Sequence, residues 1–400
     1  MGIYADYLNQ NLDANQLDQE RKNQLTRISQ WRGGRAILVF ASALTKNKAP
    51  ISIDYDDIVP INDQLSNLTG DKIDIILETP GGYAEYAEQI VECIRRKFKD
   101  VAFIVPGAAM SAGTIMTMAG DEILMSPSSS LGPIDAQISW QGKRFSAHAF
   151  LEGLNKIKEE VQNTGILNKA YIPILQNVSP GEIQNAQNAL DFAKALVTGW
   201  LSKYKFKNWQ THSTTGKAVT EEDRKKRAAE IADQLCDHGR WKTHGRSINI
   251  EALREMKLKI TDYTEDKELS DAIERYFTLL KMTFGGTNHF KIYETPTSQI
   301  YRFIPIQGII QQNIPVQDIN SAEIKIPCPK CKNELNVQAK FNKGVPLKAG
   351  FIEMPREDKI QCPACQTPID LANLKKNLEA QIKRKIVYSS EGAEYEEAKL

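Results

Sequence analysis

Short apolar runs alternate with amphipathic stretches over roughly the first 140 residues of the chain. Arg35–Phe40, Ile73–Leu77 and Val101–Val105 are rich in aliphatic residues and predict strands, with a further strand near Glu122–Met125. Apolar residues at helical spacing follow the second run: Ala84, Ala87, Ile90, Val91 and Ile94. A helix is also predicted over 57–68. This alternation indicates an α/β sheet of parallel strands joined by helical crossovers.

The rest of the chain is predicted to be mainly helical and then β-rich. An amphipathic helix is expected over 14–31, and later helices over 146–162, 180–205, 220–236 and 250–257. The predicted domains are an N-terminal helical segment at 1–32, the α/β domain at 33–284, a β-containing connector at 285–322 that begins with a Gly285-Gly286 turn, a cysteine-containing ribbon at 323–370, and a basic helix with a polar tail at 371–400.

Composition adds limits to this organisation. Four hundred residues exceed one comfortable core, so two or three domains are expected. A net charge of +1 argues against a nucleic-acid footprint over the whole chain. The longest apolar run, Ala36 to Leu44, is far shorter than the roughly 18–20 residues that cross a bilayer. The first residues lack a cationic start and an apolar core, so we expect no signal peptide and a cytoplasmic location.

Two turns of the α/β part carry candidate chemistry. Glu78-Thr-Pro-Gly-Gly82 follows a predicted strand, and its adjacent glycines let the backbone expose consecutive N–H groups. Gly107-Ala-Ala-Met-Ser-Ala-Gly113 follows the next strand and places Ser111 where a helix is predicted to begin, near N–H groups that favour developing negative charge. A lone serine beside a Gly-Gly turn offers the parts of an acyl-transfer site, a nucleophile and an oxyanion hole.

With Ala119-Gly-Asp-Glu-Ile-Leu-Met-Ser-Pro127 and Leu131-Gly-Pro-Ile-Asp135, these turns resemble the Clp-protease/crotonase superfamily. Within it, the chain is similar to signal peptide peptidase A and, more closely, to the serine dehydrogenase proteinases. The resemblance is clear over roughly 35–140 and fades to about 265. It implies a Clp-protease/crotonase-like fold of stacked βα units.

The same resemblance implies a function for these residues. Ser111 would be the nucleophile of a serine peptidase, and the N–H groups of Gly82 and Ala112 would form the oxyanion hole. The substrates would be peptides or proteins. A homo-oligomer is expected by analogy with the rings of the superfamily.

The general base is less clear from the sequence. Clp-type peptidases use a histidine shortly after the Leu-Gly-Pro segment, but none occurs here before His148. The resemblance to the signal peptide peptidases, which use a lysine of lowered pKa, therefore implies a Ser–Lys dyad. Lys194 lies on the apolar stripe of a helix that begins with the capping box Ser179-Pro-Gly-Glu182, and it is the predicted base. Lys158 and His148 are the alternatives. Asp135 either orients a base or caps a turn, and the segment His238–Arg246 is interpreted as a structural turn.

Four cysteines form two Cys-x-x-Cys pairs in the ribbon segment, Cys328/Cys331 and Cys362/Cys365. Each pair suits a turn that directs two thiolates at one tetrahedral ion, which predicts a structural Zn²⁺, with iron as the second choice and disulfides disfavoured. The 30 residues between Cys331 and Cys362 exceed the usual spacing, so an extra turn or strand is expected there. The basic helix that follows leaves nucleic acid open as a partner alongside protein, although such charge runs are usually solvated faces.

Two rival functions remain at this point. A crotonase-type enzyme acting on acyl thioesters would use the same oxyanion hole but does not need Ser111. A non-catalytic binding protein with this fold would act through its zinc ribbon, and the unidentified base is the argument for it. The sequence favours the serine peptidase.

Overall fold

A computed structural model of the chain describes residues 2–140, 143–212, 215–304, 320–382 and 384–388. The helices are α1 Ile3–Gln10, α2 Ala14–Trp31, α3 Ile58–Ser66, α4 Ala84–Lys97, α5 Ala112–Thr117, α6 Ala147–Thr164, α7 Ile172–Gln176, α8 Pro180–Trp200, α9 Glu221–Cys236, α10 His238–Trp241, α11 Ile250–Glu255, α12 Lys267–Gly286 and α13 Ala372–Ile382. The strands are β1 Ala36–Ser42, β2 Lys72–Glu78, β3 Asp100–Val105, β4 Ala108–Ala109, β5 Glu122–Met125, β6 Ser130–Leu131, β7 Gln137–Trp140, β8 Lys143–Ser146, β9 Thr261–Asp262, β10 His289–Glu294, β11 Gln299–Phe303, β12 Ser321–Pro327, β13 Glu334–Lys340, β14 Ile352–Glu353, β15 Lys359–Gln361 and β16 Pro368–Asp370.

A seven-stranded sheet forms the larger of two units, which comprises Lys22–Phe277 and Lys291–Tyr301. Its strand order is β11-β10-β1-β2-β3-β5-β9. The strands from β1 to β9 in this order are parallel, and β10 lies antiparallel to β1 at the other side. The central strands are buried along almost their whole length, as parallel strands covered on both faces are. The predicted α/β fold is therefore confirmed.

Helical crossovers cover the sheet as the sequence predicts. In α4 the buried residues Ala87, Ile90, Val91 and Ile94 join the same apolar core as strand residues Ile75 and Phe103. The parallel register pairs Ile75 with Phe103, so the two side chains lie on one face of the sheet. Because each crossover returns to the same edge, the turns after β2 and β3 emerge side by side.

At the opposite edge, a group of ion pairs ties the strand starts to the end of α2. The carboxylate of Asp74 in β2 is fully buried and accepts hydrogen bonds from both Arg32, at 2.7 Å, and Arg35. Arg32 also pairs with Glu122 of β5 at 2.6 Å. These charges are compensated mutually, so removing one partner would leave another buried without its counterion.

Two segments differ from their sequence predictions. Residues 267–286, for which no helix was expected, form α12, and the predicted Gly285-Gly286 turn is the last part of that helix. Within the predicted connector, β10 and β11 are strands of the main sheet. The rest of that connector, 305–319, and the polar tail at 389–400 lie outside the described residues.

The second unit comprises Met1–Arg21, Thr278–Phe290 and Arg302–Leu400. It contains a three-stranded sheet, β12-β13-β14, and the hairpin β15-β16. Its apolar core includes Ile324, Val337, Leu371 and Leu378. The extra strand expected between the two cysteine pairs is β14, which pairs in parallel with β13. None of the described helices has both the length and the apolarity that crossing a bilayer requires.

We predict that Asp74→Ala strongly destabilises the larger unit. The substitution leaves two arginines without their buried carboxylate, which typically costs about 3–5 kcal/mol of unfolding free energy. The measurement is chemical denaturation of native and variant chains. Lys156→Ala is the control, since it breaks an exposed ion pair with Glu152 and should leave the midpoint unchanged. Equal midpoints for the native chain and Asp74→Ala would contradict this role of the ion-pair group.

Candidate active site

Ser111 occupies a strained turn at the start of α5. Its backbone has φ 50° and ψ −116°, a conformation that residues with a Cβ rarely adopt. The six residues of α5 are all buried, whereas Ser111 itself is half-buried. Its side chain makes no capping hydrogen bond to the helix that it precedes. A serine held on a strained strand-to-helix turn is the arrangement found for hydrolase nucleophiles.

The Gly81-Gly82 turn lies directly against Ser111. A Cβ on Gly81 would stand 2.6 Å from the Met110 carbonyl oxygen and 2.7 Å from Cβ of Ser111. Gly81 also has φ 93°, a conformation that favours glycine. A Cβ on Gly82 would lie 2.3–2.8 Å from backbone atoms of Ile53. Neither position therefore has room for a side chain.

Backbone pairing fixes the two turns relative to each other. The Thr79 N–H donates to the Ala108 carbonyl at 2.9 Å, and the Met110 N–H donates to the Thr79 carbonyl at 3.0 Å. The neighbouring amides of Gly81 and Gly113 bond to Thr79 Oγ1 and to the Met110 carbonyl. In the described part of the chain, the turn hydrogen bonds do not use the N–H groups of Gly82 and Ala112. The turns are thus held without occupying these two donors.

The Leu-Gly-Pro segment packs behind the serine turn. The buried Thr114 hydroxyl lies 2.7 Å from the Ala109 carbonyl and accepts a hydrogen bond from the Gly132 N–H at 2.9 Å. A Cβ on Gly132 would stand 2.7 Å from the methyl group of Met110, so a larger residue there would displace that side chain. Asp135 follows Gly132 by three residues.

Asp135 is a buried carboxylate bound by two histidines. Nδ1 of His244 lies 2.6 Å from Oδ1 of Asp135, and Nδ1 of His238 lies 3.2 Å from Oδ2. Burial opposes ionisation of Asp135, but the hydrogen bonds from His244 and His238 outweigh it and hold the pKa of Asp135 below its usual value. Both histidines direct Nδ1 at the Asp135 carboxylate, which leaves Nε2 of each ring for other partners.

This carboxylate–histidine group was missed in the sequence, where the segment from His238 to Arg246 was interpreted as a structural turn. The partners are separated by more than a hundred positions, so no local spacing reveals them. One signal was present: His-Gly-Arg occurs twice, at 238–240 and at 244–246. Backbone bonds between Leu131 and Ile248, at 3.0 and 2.8 Å, bring that segment to the Leu-Gly-Pro turn.

Lys194, the predicted base, lies in a different environment. Its ammonium group pairs with Asp233 at 2.8 Å, and this hydrogen bond raises the pKa of Lys194. Its side chain lines a cleft of about 560 Å³ with Leu190, Cys236 and His148. A lysine that acts as a general base needs a pKa below its usual value, whereas the ion pair with Asp233 raises the pKa of Lys194.

The two reserve bases, Lys158 and His148, both lie on α6. Lys158 is exposed on α6. The His148 ring stacks on that of His238 with 6.2 Å between ring centroids, and it lies 3.9 Å from the Glu152 carboxylate. His148 is therefore a neighbour of the histidine–carboxylate group.

The four ribbon cysteines come together in the second unit. Their sulfur atoms all lie within 4.8 Å of one another, with Cys328 Sγ 3.6 Å from Cys365 Sγ and Cys331 Sγ 3.6 Å from Cys362 Sγ. Four sulfurs around one zinc ion, with Zn–S of about 2.3 Å, stand about 3.8 Å apart. The observed spacing therefore fits one tetrahedral metal ion.

Both cysteine turns have the same backbone form. The residue after each second cysteine, Lys332 or Gln366, has positive φ. Its N–H donates to the carbonyl of the first cysteine of its pair, at 3.0 Å for Cys328 and at 2.7 Å for Cys362. Each first cysteine also donates its own N–H across the turn. Two cysteine turns of the same form, with their four sulfur atoms close together, are the arrangement expected of a metal-binding ribbon.

Comparison with known proteins agrees with this geometry. Residues 6–178 match the model of the family of ClpP-like SDH-type serine proteinases. The match confirms the resemblance to the Clp-protease superfamily that the motifs indicated.

Two uncharacterised proteins of Methanocaldococcus jannaschii are also similar to the chain. One is 29% identical over 136 residues, which are 33% of this chain and 47% of the relative. The other is 26% identical over 204 residues, which are 51% of this chain and 58% of the relative. The chain thus spans about half the length of the curated relatives it matches.

Solved structures of 1510-N membrane-bound stomatin-specific protease are similar over 55% of this chain. A serine-to-alanine mutant shows 17% identity, 79% coverage of its own chain and a TM-score of 0.32. A lysine-to-alanine mutant in complex with a substrate peptide shows 18% identity, 75% coverage and a TM-score of 0.31. These scores are too low to support an inference about this chain.

We predict that Asp135 makes stability depend on pH in the acid range. Its pKa is lower in the folded chain, so ionisation stabilises the fold above the unfolded-state pKa of about 3.9. This contribution is lost as the pH falls through the folded value. Native chain should therefore exceed Asp135→Asn in Tm near neutral pH, and the gap should narrow below about pH 4. A gap that is constant from neutral to acid pH in thermal unfolding would contradict the assignment.

We predict that the purified chain carries one zinc ion and that Cys362→Ser removes it. Cys362 is fully buried, and three thiolates would hold the ion less tightly than four. The measurement is elemental analysis by mass spectrometry. Cys93→Ser is the control and should retain the metal, because Cys93 lies in α4 of the other unit. Equal metal contents in the two variants would contradict the site.

Proposed function

We propose that this protein, like the ClpP-like SDH-type serine proteinases that residues 6–178 match, is a serine peptidase. The observation that carries the proposal is Ser111, a half-buried serine with φ 50° against which the Gly81-Gly82 turn is packed. The turn leaves room for a carbonyl carbon beside Oγ only if no side chain projects from Gly81. A crotonase-type reaction gives no reason for a strained serine at this position.

In the proposed reaction, Ser111 Oγ attacks the scissile carbonyl carbon. The developing oxyanion accepts hydrogen bonds from the N–H groups of Gly82 and Ala112, which the turn hydrogen bonds leave available. These donors are fixed by the surrounding backbone before substrate binds, so little reorganisation is needed in the transition state. Removal of one such donor typically costs about 10²–10³ in rate.

We propose His244 as the general base in place of Lys194. With Nδ1–H donated to Asp135, Nε2 of His244 is free to accept the proton of Ser111. Asp135 then stabilises the imidazolium, which returns the proton to the leaving amine. Water then hydrolyses the acyl-enzyme. His244 accepts a proton from the attacking water and returns it to Ser111 Oγ. The Lys194 ammonium, paired with Asp233, is unsuited to accept a proton.

His244 is preferred over His238 on two grounds. Its bond to Asp135 is shorter, at 2.6 Å against 3.2 Å. It is also closer in the chain to Ile248, whose backbone pairs with Leu131 beside the serine turn. His238 instead stacks on His148 at the cleft. We assign His238 to holding Asp135 in position.

Zinc would have a structural role in the second unit. Cys328, Cys331, Cys362 and Cys365 would hold Zn²⁺, which with four thiolate ligands has no open position for catalysis. The ribbon would recognise a protein partner or the substrate. Of the basic residues that suggested nucleic acid, Lys375 bonds to two backbone carbonyls and Lys385 pairs with Glu379. These contacts make protein the better proposal.

Peptides or proteins are the proposed substrates, and a homo-oligomer is the proposed assembly. Both follow from the family, and the assembly rests on the habit of the superfamily alone. The site itself requires from a substrate only an acyl carbon that fits beside Ser111 and a leaving amine that His244 can protonate.

We predict that a fluorophosphonate probe labels Ser111 and that labelling depends on His244. Ser111→Ala should abolish labelling, and His244→Ala should slow it by about 10³-fold or more. The measurement is the time course of probe incorporation into folded protein.

Two matched variants separate the candidate bases. His238→Ala removes the other hydrogen bond to Asp135 and should slow labelling by about tenfold or less. Lys194→Ala should label like the native chain. Loss of labelling in Lys194→Ala with normal labelling in His244→Ala would restore the lysine as base. No labelling of folded native protein would overturn the peptidase and favour the binding protein.

A further inference from the structure

A buried ion pair joins Lys291 of strand β10, which lies outside the residues that match the family, to Asp57, which lies within them. The ammonium group of Lys291 is fully buried and donates to Oδ1 and Oδ2 of Asp57, at 2.7 and 2.8 Å. Its third hydrogen bond reaches the Ser52 carbonyl at 2.6 Å. The hydroxyl of Tyr293, also fully buried, donates to Asp57 Oδ1. We call these three residues, Asp57, Lys291 and Tyr293, the buried cluster.

The buried cluster fixes the conformation of the segment 52–57. Lys291 bonds to the carbonyl of Ser52 at one end of the segment and to the carboxylate of Asp57 at the other. The same carboxylate accepts the N–H of Asp54 at 2.8 Å, and Asp54 in turn accepts the N–H of Asp56. The segment is thus closed on itself around one ammonium group.

Ile53, in the middle of this segment, lies against the Gly81-Gly82 turn. Its N–H donates to the Gly81 carbonyl at 2.8 Å, and its carbonyl accepts the Tyr83 N–H at 3.0 Å. The amide of Gly82 lies between these two bonds. Because a Cβ on Gly82 would lie 2.3 Å from the Ile53 backbone, the segment and the turn are in direct backbone contact. Any shift of Ile53 must therefore move Gly82.

We propose that Asp57, Lys291 and Tyr293 are positioning residues that set the direction of the Gly82 N–H for the oxyanion. This inference rests on the proposed function, because it assigns that amide to the oxyanion hole. A buried ion pair gives little net stability compared with apolar side chains of similar size. Its main consequence here is geometric, since it fixes the segment whose residue Ile53 is bonded to the turn. Strand β10 thereby contributes to the reaction without touching the substrate.

The test compares two buried tyrosines that each donate to a carboxylate. Tyr293→Phe removes the hydroxyl that bonds to Asp57 but keeps the ring that stacks on Phe40. Tyr276→Phe removes an equally buried hydroxyl that donates at 2.6 Å to Glu294, a carboxylate outside the segment 52–57. Thermal unfolding first establishes that both variants are folded.

Two readouts are measured on the full chain. The first is the concentration dependence of fluorophosphonate labelling, which separates the maximal rate from probe affinity. We expect Tyr293→Phe to lower the maximal rate by roughly tenfold with unchanged affinity, within the ~10²-fold that an ångström of misplacement costs. The second is hydrogen exchange of the peptide covering residues 79–84, which should be faster in Tyr293→Phe. Tyr276→Phe should match the native chain in both.

The readouts distinguish failure of this inference from failure of the peptidase. Unchanged exchange in Tyr293→Phe, or equal changes in both variants, would overturn the positioning role. Faster exchange with normal labelling would also overturn it, because the turn would then move without effect on the reaction. If the native chain were not labelled but exchange still changed only in Tyr293→Phe, the peptidase would be wrong and the control of the turn would stand.

Discussion

The close approach of the Gly81-Gly82 turn to Ser111 restricts which residues and backbone conformations fit in both turns. A side chain at Gly81 would collide with the serine itself, and one at Gly82 would collide with Ile53. The parallel strands β2 and β3 deliver the two turns to the same edge of the sheet, and the bridge between Thr79 and Ala109 fixes their separation. The strained backbone of Ser111 persists because packing on several sides determines it. Electrostatic catalysis depends on such donors being fixed in advance.

The proposed reaction also needs a proton acceptor, and the proposed acceptor, His244, is far from Ser111 in the sequence. Asp135 is buried and needs compensation for its charge, which His244 and His238 provide. The hydrogen bonds lower the pKa of Asp135 despite burial, so the carboxylate stays ionised and can orient a histidine. Lys194 satisfies its own charge with Asp233 instead. The proposal of His244 over Lys194 therefore rests on the counterions that the fold gives to each.

What could be predicted from the sequence were features with local causes. The helix expected over 14–31 is found at Ala14–Trp31, and each Cys-x-x-Cys turn depends only on its own few residues. The pairing of Asp135 with His244 depends instead on the whole fold, since the described backbone between them passes through helices α6 to α10. Lys194 does lie beside the apolar stripe, but helical phase says nothing of its counterion Asp233. Helix α12 was missed because two glycines at its end indicated a turn.

The central claim is that Ser111, Gly82, Ala112 and His244 form one acyl-transfer site. The most direct measurement is a crystal structure of the protein after reaction with a fluorophosphonate. The adduct should be on Ser111 Oγ, its phosphonyl oxygen about 2.7–3.1 Å from the nitrogen atoms of Gly82 and Ala112, with Nε2 of His244 beside Oγ. An adduct on another residue, or a phosphonyl oxygen directed away from both amides, would contradict it.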